Sequence, residues 1–384
     1  MGRADEAGSG EYPARALLEW PRWPLASLAS AARADEPGSG EYPARALLEW
    51  PRWPLASLAS AARADAVADF YRGRSVALII GYSAGGGYDA YGRVVARHLG
   101  KHIPGNPAVI AQNMPGAGSL RAANWLYNAA PKDGSVIGMF SRGMAMEPLI
   151  GTSQTQFDAR KFFWLGSGTD EVSTCVTWHG SAVKTWGDAL KIPFTVGGEG
   201  SGSDPDIFAT VVRNVFGVKL RLVSGYPGSA EVALAIERRE VDGRCGWSYS
   251  SLRQQRPDWI TNRQVNILVQ LALKKSPELP DVPLVTEFAT TDRQRQILRL
   301  VFSRQAMARP FTAPPGIPAE RKAALRKAFD ETMKDTAFLE EAKQRSLEVA
   351  PVTGAEIDAL IGDLYRSPPD VVAEVRASIA PGAK

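Results

Sequence analysis

Val76-Ala-Leu-Ile-Ile80 runs directly into Gly81-Tyr-Ser-Ala-Gly-Gly-Gly-Tyr-Asp89, and a helical pattern through Tyr91, Val94, Val95 and Leu99 follows. A continuous, β-branched apolar run that ends in glycines reads as a parallel strand buried on both faces. The rhythm recurs at once: Ala108 to Gln112 is a second strand, Pro115-Gly-Ala-Gly-Ser119 a second turn, and Ala122, Leu126 and Ala130 mark a second helix. Val136 to Phe140 is a third strand. Strand, glycine turn, helix and strand is the pattern of an open α/β sheet, whose ligands bind at the carboxyl ends of the strands.

Working outward, the rhythm restarts at Phe163 to Gly166. It continues through Cys175 to Trp178, Phe194 to Gly197, Leu220 to Val223, Val241 to Cys245 and Val265 to Leu273. Pro318 opens a long amphipathic helix with Leu325, Ala328, Phe329 and Met333 on its apolar stripe. We read two α/β lobes, the second inserted into the first, with a hinge and a cleft between them. The expected division is lobe I over 65–165 and 293–384 and lobe II over 166–292. The chain would cross near Leu165-Gly166 and again near Arg293.

Residues 1–64 read differently. Ala4–Arg33 and Ala34–Arg63 are one 30-residue block written twice, differing only at Ala7 and Pro37. Two copies are too few to stack into a repeat core. Ala62-Arg63-Ala64 has the small-residue form of a signal-peptidase site, behind an apolar stretch interrupted by Glu49, Pro51, Arg52 and Pro54. We expect a degraded export leader, disordered and dispensable.

Composition narrows the functions. The 384 residues are 45% apolar and 22% charged, the balance of a globular protein. A net charge of +4 is too small and scattered to require nucleic acid, and mildly suits an anionic ligand. No apolar run approaches the roughly 18 residues of a membrane span. The two cysteines, Cys175 and Cys245, form no CxxC pair; they either close a disulfide loop or are two buried thiols. His98 and His102 stand four apart on one helix, without the further ligands a metal needs. Dinucleotide and P-loop spacings are absent, so no cofactor and no metal are expected.

Gly81-Tyr-Ser-Ala-Gly85 matches the G-x-S-x-G elbow of α/β-hydrolases, with Ser83 as the would-be nucleophile. That fold places its histidine well downstream, yet no histidine follows His179. The elbow would also sit on the first strand, with no earlier strand to supply an oxyanion loop. We therefore expect no enzyme and no catalytic residue, and keep a serine hydrolase as the alternative. The glycine loops offer a different chemistry: Gly85-Gly-Gly87 and Gly116-Ala-Gly118 can turn successive backbone N–H groups into one concavity that binds carboxylate or phosphate. A third loop, Gly197-Gly-Glu-Gly-Ser-Gly-Ser-Asp-Pro205, would face them from the other lobe.

Taken in order, several motifs resemble one family. They are Gly85-Gly-Gly-Tyr-Asp89, Asn113-Met-Pro-Gly-Ala-Gly118, Ala130-Pro-Lys-Asp-Gly134, Gly200-Ser-Gly-Ser-Asp-Pro205, Lys275-Ser-Pro-Glu-Leu-Pro-Asp-Val-Pro283 and Pro314-Pro-Gly-Ile-Pro318. The ordered set, covering residues 65–384, is similar to the solute-binding proteins of tripartite tricarboxylate transporters, called TctC-like or Bug-type receptors. The resemblance implies a periplasmic, monomeric receptor of type II binding-protein fold that closes on a small organic carboxylate and delivers it to membrane permease subunits; a receptor that signals instead is the other output. It implies ligand contacts at Tyr82, Ser83, Ala84 and Gly86, and at Gly116, Ala117 and Gly118 in lobe I. Ser201, Ser203 and Asp204 would meet the ligand from lobe II. Asp89 belongs to the same loop, more as a brace than as a contact to an anion. Trp247 and Tyr249 are either an aromatic wall or ordinary core. Asp204, Asp206 and Asp170-Glu171 depart from the family pattern and argue for a ligand less charged than a tricarboxylate.

Overall fold

The computed structural model describes residues 66–151 and 154–380. The duplicated leader therefore lies outside the described residues. Two separate sheets organise the rest. The first is built from β1 (Ser75–Ile80), β2 (Ala108–Asn113), β3 (Val136–Met139) and β4 (Phe163–Ser167), with β10 (Pro310–Ala313) and β11 (Val352–Thr353) returning to it late in the chain. The second contains β5 (Ser173–Trp178), β6 (Phe194–Gly197), β7 (Leu220–Val223), β8 (Gly243–Ser248) and β9 (Val265–Leu271).

Strand order is β11-β4-β10-β3-β1-β2 in the first sheet and β7-β6-β8-β5-β9 in the second. The apolar β1 is central and runs parallel to both β2 and β3. Register does the positioning: Ile80 lies opposite both Asn113 and Met139, so the glycine turns after β1 and β2 leave the sheet at one level. Strand β10 enters antiparallel between β3 and β4. Its Pro310-Phe-Thr-Ala313 is too short and irregular to stand out in the sequence.

Two segments join strands of one sheet to strands of the other, and a third passage before Pro369 takes the last helix to the second core. Residues 168–172 leave β4 for β5, and residues 303–309 lead back into β10. They hydrogen-bond to each other, Gly168 N to Arg309 O at 3.1 Å, Ala308 N to Thr169 O at 3.0 Å and Glu171 N to Gln305 O at 3.1 Å. The return crossing thus comes after the expected point near Arg293. The reason is packing: helix Asp292–Phe302 sets Ile297, Leu298, Val301 and Phe302 into the core of the second sheet. The last helix, Pro369–Ile379, does the same through Val372, Val375 and Ile379, instead of returning to the first lobe. Helix Ala319–Thr332 does belong to the first core, and its stripe of Leu325, Ala328, Phe329 and Met333 is buried there.

Candidate functional site

A narrow cleft opens between the sheets, with a cavity of about 30 Å³ inside it. From the first side it is lined by Tyr82, Gly86, Gly87, Tyr88 and Ser141; from the second by Glu199, Asp204, Ser229, Arg244, Trp247 and Ser248, among others. Three helices open into it: Gly87–Leu99, Asp204–Phe216 and Ser229–Glu237. Helix N-termini carry unsatisfied N–H groups and partial positive charge, which favours an anion between them.

Of the residues expected from the sequence, the structure brings Tyr82, Gly86, Asp204 and Trp247 to the cleft wall. Ser83 is beside it, donating its hydroxyl to Glu231 Oε2 at 2.9 Å. Ala84 is exposed. Asp89 is buried and fully occupied: it accepts from Gly85 N at 3.0 Å, Arg93 Nε at 2.9 Å and Asn113 Nδ2 at 2.8 Å. It braces the loop rather than facing a ligand.

Gly116 stands beside Arg121 of its own lobe, whereas Ala117 and Gly118 meet the other lobe directly, with Gly118 N donating to Glu199 O at 3.0 Å. The loop needs left-handed backbone here, with φ of 140°, 47° and 61° at these three residues. Ser201 is exposed, whereas Ser203 is buried and donates to Asp206 Oδ2 at 2.9 Å. Asp206 also accepts from the N–H groups of Glu199 and Gly200, so it shapes the loop from within. Tyr249 is buried outside the cleft wall, with the Arg253 guanidinium 5.3 Å from its ring centroid.

Sequence reasoning missed the buried arginines. Arg244 lines the cleft on β8, and its Nη2 donates to Glu199 Oε1 at 2.6 Å. Arg142, just after β3, pairs with Asp204 and donates to Ser173 Oγ at 2.9 Å. Arg304 approaches the same Asp204 at 3.5 Å. Arg309 donates to Ser251 Oγ at 2.7 Å and to Glu171 Oε2 at 3.3 Å. The available signal was a charged residue inside or abutting an apolar strand, because an arginine is fully buried only when paired.

Protonation follows from burial. Glu199 is held above its ordinary carboxylate value by burial, against the pull of Arg244 and with the help of Asp206 and Asp204. Tyr82 and Tyr88 are raised for the same reason. The cysteines are settled as well: Cys175 and Cys245 form a disulfide between neighbouring strands. Among the described residues no group of three or more His, Cys, Asp or Glu side chains could hold a metal ion.

No protein-family model matches the chain. A protein of Agrobacterium vitis, described as a UPF0065 protein in the TAR-I ttuE-ttuC' intergenic region, is 25% identical over 291 residues, 74% of this chain and 78% of that one. Among solved structures, periplasmic binding protein BugD superposes with a TM-score of 0.64 at 20% identity, over 80% of this chain and 98% of that one. MatC from Rhodopseudomonas palustris, with bound malate, gives a TM-score of 0.61 at 18% identity, over 78% and 99% of the two chains.

Proposed function

We propose that this chain, which has the type II, two-lobed fold of the Bug- and TctC-type periplasmic binding proteins, is an exported receptor that captures a small carboxylate in its cleft and hands it to the permease subunits of a tripartite transporter. One observation carries the reading. Arg244 Nε and Nη1 and Trp247 Nε1 are buried at the cleft wall without hydrogen-bond partners. A buried donor left unpaired costs about 1–3 kcal/mol. Several together, beside three helix N-termini, are a standing demand for an anionic acceptor. Their position between two sheets linked by a pair of crossing segments suits a receptor that closes on its ligand.

The hydrolase alternative finds less support in the geometry. The Ser83 hydroxyl is engaged with Glu231. His98 faces Glu341 at 2.9 Å and His102 faces Asp335 at 3.0 Å, both on the outer side of the first lobe, and His179 lies against the Trp178 ring. Among the described residues no helix is long and apolar enough to cross a membrane, which fits a binding protein that works beside its permease.

The test is calorimetric titration of the purified chain with a panel of small mono- and dicarboxylates, alongside a fluorophosphonate probe. The receptor reading expects saturable binding of at least one acid, compaction in solution scattering, and no label on Ser83. Failure of every carboxylate together with labelling of Ser83 would replace it with the hydrolase.

A further inference from the structure

Strand β8 does not alternate evenly. Trp247 pairs with Thr174 and Cys245 with Cys175, which leaves Gly246 as an extra residue in the ladder. Its φ is +82°, and a Cβ there would stand 2.7 Å from the Asp204 carbonyl. This is a glycine β-bulge, a device that re-aims side chains beside functional sites. Without it, Arg244 and Trp247, three residues apart, would point to opposite faces. With it, the Arg244 guanidinium lies 5.2 Å from the Trp247 ring centroid, while Cys245 turns into the other core.

We infer that the bulged segment Arg244-Cys-Gly-Trp247 is the specificity-determining element of the cleft: Arg244 and Trp247 Nε1 anchor one ligand carboxylate, and Glu199 and Asp204 select a monocarboxylate whose far end donates hydrogen bonds. The inference rests on the receptor reading and names its substrate class. Arg244 is the one arginine among the cleft-lining residues described, and two of its three guanidinium nitrogens are unpartnered. The other buried arginines stand behind the wall, held by Asp204 and Glu171. Two carboxylates, Glu199 and Asp204, share the wall with Arg244. A second ligand carboxylate would meet them as like charge in a buried setting, at a cost of at least about tenfold in affinity. A hydroxyl or ammonium group would instead find acceptors.

The experiment uses three four-carbon acids of matched length: γ-hydroxybutyrate, γ-aminobutyrate and succinate. They differ only at the far end, and each is titrated into the full chain by calorimetry. We expect either of the first two to bind at least about tenfold tighter than succinate. Trp247→Phe, which keeps an aromatic ring but removes the donor with the rest of the indole, should weaken the preferred acid roughly threefold to tenfold. Arg244→Met should weaken it about a hundredfold, with Arg244→Lys between. Glu199→Gln should narrow the gap to succinate. Succinate binding as tightly as the other two would overturn the inference while leaving a carboxylate receptor in place. Absence of binding by any carboxylate would remove both. The wild-type series needs no substitution, so the comparison stands even if Arg244→Met fails to fold.

Discussion

The two walls of the cleft are made by different means. On the first side, parallel strands end at a common level and hand over to glycine turns, so the surface there is largely backbone: Gly86 and Gly87 line it, and Gly118 N reaches across to Glu199 O. On the second side strand β8, parallel to β6 and bulged against antiparallel β5, carries Arg244 and Trp247, and the surface is side chain. A backbone wall tolerates no added atoms but asks little of side-chain identity. A side-chain wall can be retuned by substitution, provided its bulge is kept. Closure should therefore fail through the first wall, and ligand anchoring and selectivity should change through the second.

The harshest test of that division is Gly118→Val. A Cβ at Gly118 would stand 2.7 Å from Gly200 O and 2.8 Å from Ser201 O, both backbone atoms of the facing lobe, at a φ of +61°. Closure should be blocked and binding lost beyond detection by calorimetry. At Gly116 the nearest atoms are flexible Arg121 side-chain carbons at 3.4 and 3.5 Å, so Gly116→Ala carries backbone strain but no clash between lobes. It should bind more weakly than wild type yet measurably. Equal behaviour of the two variants would erase the distinction between contact and strain.

The disulfide tests the second wall as a scaffold. Cys175 and Cys245 are separated by 70 residues, and closing such a loop stabilises by about 4 kcal/mol in the chain-entropy model. The double change Cys175→Ala with Cys245→Ala should lower stability by about that amount in a denaturant titration. A loss under about 1 kcal/mol would mean that packing around β5 and β8 holds the strand pair unaided.

A smaller effect is expected from acidity at the junction of the walls. Burial raises Glu199 above its ordinary value, so the folded chain holds that proton more tightly than the unfolded chain does. The linkage has a definite sign: as pH climbs from about 4.3, the unfolded-state value, through the higher folded value, wild type should lose stability. Glu199→Gln should lack that loss. Melting curves of the two proteins across this window, if parallel at every pH, would show that Glu199 does not titrate as burial dictates.

Much of the first wall is legible in the sequence itself, because glycine runs after apolar strands have few other physical meanings. Strands β1 to β4 and the Pro318 helix lie where periodicity places them, and a glycine and serine motif marks the facing Gly200-Ser-Gly-Ser-Asp-Pro205 loop. The second wall is hidden for a physical reason. Arg244 sits in Val241-Asp-Gly-Arg-Cys-Gly-Trp-Ser248, where no alternation survives the bulge, so the arginine reads as an interruption rather than a lining residue. Nor can local pattern say which core the helix Asp292–Phe302 joins. Its apolar stripe fits either sheet, and only tertiary packing assigns it to the second.

Ser83 is the mildest and most diagnostic position. Its hydroxyl donates to Glu231 Oε2 at 2.9 Å, and the two residues belong to opposite walls, so the bond exists only while the lobes are together. A neutral hydroxyl giving one such bond contributes roughly 0.5–1.5 kcal/mol. In a closing receptor that energy adds to the closed state alone, and Ser83→Ala should weaken ligand binding by a factor of about 2 to 12 with the stoichiometry unchanged. A nucleophile behaves otherwise: its removal leaves ground-state binding nearly intact while abolishing turnover and probe labelling. Calorimetry of Ser83→Ala and Glu231→Gln therefore separates the two roles. Similar small losses in both variants would mark a cross-wall latch. Unchanged affinity in Ser83→Ala, with loss of an esterase signal seen in wild type, would break the comparison of walls at its first residue.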